Sequence, residues 1–146
     1  MKILSNNRRA RFEYEILEEF EAGLVLVGTE VKSIKEGKVN IREAYIEIRD
    51  GEAFITGMHV APFREGNLRN VDPYRERKLL LNRREINKLY KEVTQAGLTI
   101  VPLRLYRNNK GLVKIEIALA RGKKLYDKRE AQKEKDLKRQ MERYQI

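Results

Sequence analysis

The side chains that could carry out catalysis are few in this sequence. His59 is the single histidine, which excludes a ribonuclease that uses two histidines. Serine occurs only at Ser5 and Ser33, and neither lies in a recognisable nucleophile elbow. No glycine-rich phosphate loop is present, and a lone histidine near a strand end is usually structural. The inventory of side chains therefore favours binding over chemistry.

Metal chemistry has equally little support. The chain has no cysteine, which excludes disulfides and thiolate metal sites. The aspartates are scattered at Asp50, Asp72, Asp127 and Asp136. None is placed on a strand that would preorganise a metal cluster, and the glutamates mostly alternate with apolar residues, as on a solvated strand face. We expect a protein that is not an enzyme and that holds no metal or cofactor.

The net charge points to an anionic partner. The chain carries a formal charge of +10 and has a pI near 9.8, and lysine and arginine attract phosphates over long distances. Nucleic acid is the first candidate and an anionic membrane surface the second. The N-terminus lacks the apolar core of a signal peptide, and no apolar run approaches the length of a membrane span. We therefore expect a soluble, cytoplasmic protein.

Half of this charge lies at the C-terminus. Residues 121–146 contain ten basic and five acidic side chains, and a second basic cluster, "NRRAR", runs from Asn7 to Arg11. The C-terminal segment has few apolar side chains to bury, yet it has good helix formers and no breaker after Gly122. The segment therefore encodes both disorder and helix formation. The alternative is a solubilising helix that docks on the rest of the protein.

The chain between these two basic ends has the pattern of strands that form hairpins. "RFEYEI" alternates apolar and acidic residues, as a half-buried strand does. Asp50 and Gly51 separate two strand-like segments, and this dipeptide accepts the positive φ angles of a tight hairpin turn. A second hairpin is predicted from Thr99 to Tyr106 and from Leu112 to Ala120, with Pro102 at a sheet edge or a bulge.

Two segments have the period of a helix. "NRREINKLYKEVTQAG" has apolar residues at helical spacing, a capping box at Asn82 and Glu85, and Gly97 at its end. A shorter helix is predicted over "TEVKSIKEG", with Val31 and Ile34 facing inward. The length of 146 residues fits one domain with an appendage. Antiparallel strands with packed helices predict a mainly β, α+β fold: a small closed or nearly closed barrel of the oligonucleotide-binding type.

Six motifs, in order over nearly the whole length, resemble the SsrA-binding protein family (small protein B, SmpB). They are "NRRARFEYEI", "FEAG", "GTEVKSIKEGKVN", "DPYRERKLLLNRREI", "GLTIVPLRLY" and "ALARGKKLYDKRE". The departures are small: Phe63 stands where the family often has tyrosine, and Tyr126 stands where some relatives have histidine. They put in doubt only a role that needs a hydroxyl at Phe63 or an imidazole at Tyr126.

The resemblance implies an RNA-binding adaptor of trans-translation, the rescue of stalled ribosomes. A barrel, residues 1–120, would bind the tRNA-like domain of transfer-messenger RNA. A basic tail, residues 121–146, would be disordered when free and helical in the empty messenger channel of the small ribosomal subunit, next to the decoding centre. Elongation factor Tu and alanyl-tRNA synthetase would be indirect partners through the charged RNA, and the protein would be a monomer without a membrane partner.

The resemblance also implies which residues bind. Those expected to contact transfer-messenger RNA are Asn7, Arg8, Arg9, Glu21, Lys32, Arg75, Arg77, Lys78 and Leu80. Those expected to contact the ribosome are Gly122, Lys123, Lys124, Tyr126, Asp127, Lys128 and Arg129. We expect phosphate contacts from Arg8, Arg75, Arg77 and Lys78.

Four of these residues keep an alternative reading. Asn7 could serve only as a helix cap or turn residue, and Lys32 could be an ordinary solvated lysine. Glu21 could accept a hydrogen bond from a base or a 2′-hydroxyl, or orient a neighbouring arginine. Leu80 could act by packing the strand that displays the basic residues.

The second candidate for function is a general single-strand-binding barrel, such as a translation initiation factor or a cold-shock-like protein. Such proteins display clustered aromatic side chains on which bases stack. Aromatic residues are only 8% of this chain, and no predicted strand shows a paired aromatic platform. Comparing binding to structured transfer-messenger RNA and to an unstructured RNA of equal length distinguishes the two functions.

Overall fold

The computed structural model describes residues 1–65 and 69–123, which form nine strands and three helices. The strands are β1 (Lys2–Asn6), β2 (Tyr14–Leu24), β3 (Val39–Asn40), β4 (Tyr45–Arg49), β5 (Glu52–Thr56), β6 (His59–Val60), β7 (Arg77–Leu80), β8 (Thr99–Arg107) and β9 (Val113–Gly122). The helices are α1 (Arg8–Glu13), α2 (Gly28–Lys35) and α3 (Arg83–Ala96).

Seven of these strands form one antiparallel sheet in the order β1-β8-β9-β2-β7-β5-β4. The short strands β3 and β6 pair separately. The predicted α+β class with a mostly antiparallel sheet is confirmed. The sheet is not closed into a barrel, however, because β1 and β4 remain its two edges in the described part of the chain.

Both predicted hairpins are present. The β4–β5 turn has positive φ angles at Asp50 (50°) and Gly51 (75°), as the sequence indicated. β8 pairs with β9 across the turn that follows Arg107, and their register shifts between Pro102 and Arg104. β8 lies between two other strands, so a bulge accommodates the proline there, as one of the two predicted placements required.

The predicted helices are also confirmed. Asn82 accepts a hydrogen bond from the Glu85 amide at 2.9 Å, the Glu85 carboxylate accepts one from the Asn82 amide, and α3 ends at Gly97 with φ 68°. In α2, Ile34 is fully buried, whereas Val31 is only partly buried. No helix in the described ranges is long and apolar enough to cross a membrane.

One predicted strand begins later than expected. "RFEYEI" was expected to be extended throughout, but Phe12 and Glu13 belong to α1, and β2 begins at Tyr14. Helix α1 buries Ala10 against Val101, Leu103, Ala118 and Ala120 of β8 and β9. A small side chain facing the sheet stabilises one helical turn at this point, and the local alternation of apolar residues does not reveal that tertiary contact.

The two faces of the sheet are covered unequally. The main core lies on the face covered by α2 and α3, where Ile34, Ile55, Leu79, Leu89 and Ile117 are all buried. The smaller core under α1 covers only part of the opposite face. Elsewhere that face carries the charged side chains of Glu21, Lys114 and Glu116 and the exposed Leu80.

Candidate nucleic-acid interface

The uncovered part of the sheet brings three predicted binding residues onto one surface. Gly23 of β2 lies opposite both Leu80 of β7 and Lys114 of β9, and side chains of opposed residues share a face. Glu21 and Lys78 lie two residues away on their strands and therefore point the same way. We call this surface the outer face; its residues are Glu21, Gly23, Lys78, Leu80, Arg104, Tyr106, Lys114 and Glu116.

Leu80 is displayed on the outer face and does not pack in the core. It is 53% exposed, whereas its neighbour Leu79 is 1% exposed and belongs to the main core. The alternative that Leu80 acts by packing its strand is therefore wrong, because Leu79 takes that role. Leu80 is thus an exposed apolar side chain among the charged residues of the outer face.

Gly23 gives the outer face its flatness beside Leu80. A Cβ atom at this position would lie 3.4 Å from Leu80 Cβ and 3.7 Å from Lys114 Nζ. Lys114 therefore lies close to Leu80 and is a binding candidate that the sequence analysis missed. The alternation of "LVKIEI" indicated that Lys114 faces away from the main core, but only the strand order places it beside Gly23 and Leu80.

Glu21 lies in a small polar network. It is opposite Glu116 in the sheet, and the Tyr106 hydroxyl donates a hydrogen bond to its Oε2 atom. Arg104 forms a hydrogen-bonded ion pair with Glu116, and its hydrogen bond to that carboxylate raises the pKa of Arg104. Among the described residues, the side chain hydrogen-bonded to Glu21 is therefore Tyr106. The alternative that Glu21 orients a neighbouring arginine is not what the structure shows.

Arg77 is buried and cannot present its charge to a phosphate. Its side chain is 0% exposed and donates to Glu30 Oε2 at 2.7 Å, to the Met58 carbonyl at 2.6 Å and to the Pro73 carbonyl at 3.1 Å. The expectation of a direct phosphate contact by Arg77 is therefore corrected. Its guanidinium joins α2, the end of the β5–β6 connection and the loop before β7.

Arg75 belongs to the same network but reaches the surface. Its Nη2 atom lies 2.5 Å from Glu30 Oε1 and 3.4 Å from the Val25 carbonyl, and its side chain is 32% exposed. Glu30 thus pairs with two arginines, and its own side chain is 3% exposed. Arg75 can approach a phosphate only from the exposed part of its guanidinium.

The network shifts the titration of its buried members. Burial raises the pKa of the Glu30 carboxyl, but hydrogen bonds from Arg75, the Val27 amide and Arg77 outweigh burial and leave that pKa below its ordinary value. Burial lowers the pKa of the Arg77 guanidinium, and the Glu30 carboxylate offsets only part of this effect. The Glu30 carboxylate and the Arg77 guanidinium form an ion pair at this contact.

Lys78 and Lys32 are accessible lysines with local partners. Lys78 Nζ lies 3.1 Å from Glu52 Oε1, and both side chains are more than 40% exposed, so the ion pair is weak and can be replaced by a phosphate. Lys32 is exposed on α2, and its Nζ lies 5.3 Å from the centroid of the Phe63 ring. A cation–π contact thus holds Lys32, which is more than an unattached solvated lysine.

The N-terminal candidates line a separate groove of about 640 Å³ with Arg42. The side-chain Nδ2 of Asn7 donates to the Pro102 carbonyl at 2.9 Å, and its backbone amide donates to the Leu103 carbonyl at 2.8 Å. Its side chain makes no cap bond to α1. Asn7 therefore occupies the N-cap position of α1 without a side-chain cap bond and ties this position to the β8 bulge.

Arg8 and Arg9 are exposed beside this groove and form no ion pair in the described ranges. Arg42, which the sequence analysis missed, is likewise exposed and unpaired there. Its amide donates to Asn40 Oδ1 at 2.8 Å, and the preceding Ile41 is fully buried. The sequence signal was the Asn40 turn residue, but only the tertiary structure places this turn next to α1.

Only two of the predicted tail residues lie in the described ranges. β9 extends to Gly122, two residues beyond the predicted end at Ala120, and Gly122 lies opposite Tyr14. The Lys123 backbone amide donates to the carbonyl of Glu13, the last residue of α1, at 3.0 Å, so the chain is held to the α1–β2 junction at this point. The remaining tail candidates, Lys124, Tyr126, Asp127, Lys128 and Arg129, lie outside the described residues.

Comparisons with known proteins support one family over nearly the whole chain. The model of the SmpB protein family matches residues 4–145. SsrA-binding proteins are 56% identical over 144 residues in Thermosynechococcus vestitus (98% of this chain, 94% of that protein) and 57% identical over 143 residues in Acaryochloris marina (97% and 92%). A third, from Wolbachia sp. subsp. Brugia malayi, is 53% identical over 139 residues (95% and 93%).

Comparison with solved structures supports the same family. The structure is similar to a chain of the solved structure described as "tmRNA-SmpB: a journey to the center of the bacterial ribosome". The TM-score is 0.68 and the identity 48%, over 86% of this chain and 92% of that chain. Since the sequence and the fold agree over almost the full length, this chain belongs to the SmpB protein family.

Proposed function

We propose that this protein is an RNA-binding adaptor of ribosome rescue. It binds the tRNA-like domain of transfer-messenger RNA and delivers that RNA to stalled ribosomes for trans-translation. Membership of the SmpB family and the relatives named SsrA-binding protein support this proposal. The similar chain from a structure described by tmRNA, SmpB and the bacterial ribosome supports both partners.

The outer face is the structural observation that carries the proposal. Glu21 comes from one motif, and Lys78 and Leu80 come from another that lies far along the sequence. The strand order β9-β2-β7 brings them together with Lys114. The surface offers an acceptor, two cations and an apolar side chain. Folded RNA presents matching groups, because its 2′-hydroxyls donate hydrogen bonds, its phosphates are anionic and its bases and riboses have apolar surfaces.

The basic residues away from the outer face extend this interface. Arg8, Arg9 and Arg42 border one groove, and Lys32 borders another with Phe63 and Arg69. We assign to these cations contacts to phosphates, which give affinity and a dependence on salt without sequence preference. Arg75 contributes the exposed part of its guanidinium, and Arg77 supports the strand from within.

We assign the C-terminal segment, residues 121–146, to the ribosome. Its net charge of +5 suits a channel lined by ribosomal phosphates, and it would report that the messenger channel is empty. Gly122, Lys123, Lys124, Tyr126, Asp127, Lys128 and Arg129 are its proposed contacts. Elongation factor Tu and alanyl-tRNA synthetase act with the protein only through the charged RNA, and the protein itself acts as a monomer.

A general single-strand binder would use its sheet differently. Such a protein stacks bases on exposed aromatic rings. Tyr106, which lies among the residues of the outer face, is only 5% exposed, so its ring is not free to stack on a base. Phe54, opposite Lys78, is partly buried and has Arg49 over its ring, and Tyr45 is exposed on the edge strand β4. The described part of this face thus has no pair of adjacent exposed rings, which favours recognition of a folded RNA.

A binding experiment tests the RNA preference. The affinity of the full chain is measured for the isolated tRNA-like domain and for an unstructured RNA of equal length, at several salt concentrations. We expect the folded RNA to bind at least about tenfold more tightly at each salt concentration, since phosphate contacts alone give little discrimination. Equal affinities would support the general single-strand binder.

A further inference from the structure

The hydroxyl of Tyr106 reaches across a whole strand. Tyr106 lies on β8 and Glu21 on β2, and β9 runs between these two strands. In the register, Tyr106 is opposite Lys114, while Glu21 is opposite Glu116. The hydrogen bond from the Tyr106 hydroxyl to Glu21 Oε2 therefore crosses β9 diagonally. This bond fixes the side chain of an otherwise exposed residue.

Glu21 would be poorly placed without this bond. The Glu116 carboxylate lies opposite it, and like charges on opposed strand positions repel each other. Arg104 neutralises Glu116, with its Nη2 atom 3.4 Å from Glu116 Oε1. In the described ranges, the Tyr106 hydroxyl is the one side-chain donor to Glu21. Tyr106 thus binds the Glu21 carboxylate, and Arg104 binds the facing Glu116 carboxylate.

A positioned carboxylate has a definite use on an RNA-binding surface. RNA phosphates repel a glutamate, so Glu21 helps binding only where it accepts a hydrogen bond from an RNA donor. Such donors are the 2′-hydroxyls of ribose and the amino groups of bases. A mobile glutamate loses conformational entropy when it makes that bond, whereas a glutamate already held by Tyr106 loses less.

We propose that Tyr106 is a positioning residue for RNA recognition. It holds Glu21 through one carboxylate oxygen, so that the carboxylate accepts a hydrogen bond from a hydroxyl or amino group of a folded RNA. This inference rests on the proposed RNA-binding function and adds to it a residue that touches no RNA. It makes the outer face selective for folded RNA through a buried phenol.

The test removes the hydroxyl and keeps the ring. Affinities of full-length Tyr106→Phe are measured for the tRNA-like domain and for the unstructured RNA of equal length. We expect an approximately fivefold loss for the folded RNA, the range of one hydrogen bond, and less than a twofold change for the unstructured RNA. Tyr90→Phe, which changes an exposed tyrosine of α3, serves as the control and is expected to change neither affinity.

Two further variants separate positioning from stability. In a Glu21→Ala background, Tyr106→Phe is expected to cause no additional loss, because the group it positions is gone. Glu21→Asp keeps the charge but is one methylene shorter, so it should lose the bond to Tyr106 and reproduce the fivefold loss. This variant also provides the test if Tyr106→Phe fails to fold at the assay temperature.

The outcomes distinguish this inference from the proposed function. If the unaltered chain prefers folded RNA while Tyr106→Phe and Glu21→Asp bind it unchanged, the positioning role is wrong and the proposed function stands. An equal loss for both RNAs, or a loss that persists in the Glu21→Ala background, also overturns the positioning role. If the unaltered chain shows no preference for folded RNA, the proposed function itself fails.

Discussion

Arg77 shows how a residue type typical of RNA contacts can instead hold a protein together. Its guanidinium binds the Glu30 carboxylate and two carbonyls from different segments, and water does not reach it. Arginine suits this position because its planar fork can donate several hydrogen bonds at once. Lysine could not replace these contacts, although it would preserve the charge.

Arg77→Ala is therefore expected to destabilise the fold. The change leaves Glu30 buried with only Arg75 as its ionic partner, and breaking a buried pair costs about 3–5 kcal/mol. The free energy of unfolding, measured by urea titration, gives this loss. Arg84→Ala, which changes an exposed arginine of α3, is the control and should shift the free energy by less than about 0.5 kcal/mol. A similar small change for Arg77→Ala would show that the network is not structural.

Glu30 gives the fold a defined sensitivity to acid. Because the pKa of its carboxyl is lower in the folded than in the unfolded chain, its stabilisation is complete above the unfolded value near 4.5. It is lost as the pH falls below that value and through the folded pKa. Glu30→Gln is expected to be less stable at pH 7 and to lose less stability between about pH 5 and pH 3. Chemical unfolding at several pH values measures this, and parallel curves would contradict the assignment.

Leu79 and Leu80 are adjacent leucines of which the first is buried and the second is exposed. Leu79→Ala removes a buried side chain and should cost about 2–5 kcal/mol of unfolding free energy. Leu80→Ala removes an exposed one and should cost less than about 1 kcal/mol, while weakening binding to the tRNA-like domain. Urea titration and RNA affinity of the two variants measure the contrast. A Leu80→Ala variant with unchanged RNA affinity would remove this leucine from the interface.

Helix α3 is the element whose ends follow most directly from local sequence. Asn82→Ala removes the side-chain acceptor of the Glu85 amide and should lower stability by about 1 kcal/mol. Asn87→Ala changes an exposed position in the helix interior and should be neutral or slightly stabilising, since alanine is the better helix former. Thermal unfolding followed by circular dichroism compares the two. Equal shifts would mean that the cap does not stabilise the helix.

The elements that the sequence predicted correctly depend on local rules. Asp50-Gly51 requires positive φ angles, Asn82 and Glu85 cap each other, and Pro102 cannot donate to a ladder, so each is visible in a few residues. Helix α1 was missed because its stability comes from the packing of Ala10 on β8 and β9. Distant packing of that kind leaves no local periodicity to read.

The candidate site was predictable only in part, for the same reason. The motif residues were named from the sequence, but their grouping depends on the order β9-β2-β7, which no local pattern reveals. The sequence of β7 does not reveal whether Leu79 or Leu80 is buried, because that depends on which face of the strand packs on the core. Arg77 was placed at the surface because buried arginines are rare, and its burial follows from the distant partner Glu30.

At the scale of the whole molecule, the described residues contain the fold and the candidate RNA-binding surface. Residues 1–123 contain the sheet, both core clusters and the outer face. The described part of the C-terminal segment ends at Lys123, whose backbone amide donates to the Glu13 carbonyl. Under the proposed function, we therefore expect that truncating the C-terminal segment removes action on the ribosome without removing RNA binding.

The most direct test of the adaptor proposal is alanine tagging of a nascent chain on a stalled ribosome, with the full chain and with a chain truncated after Lys123. The truncation keeps all of β9, whose register with β2 runs to Gly122. We predict that the truncated chain keeps its thermal stability and supports no tagging. Its affinity for the tRNA-like domain should stay within about threefold of that of the full chain, a difference of about 0.7 kcal/mol in binding free energy. Full tagging by the truncated chain, or loss of its RNA binding with the fold intact, would contradict the account.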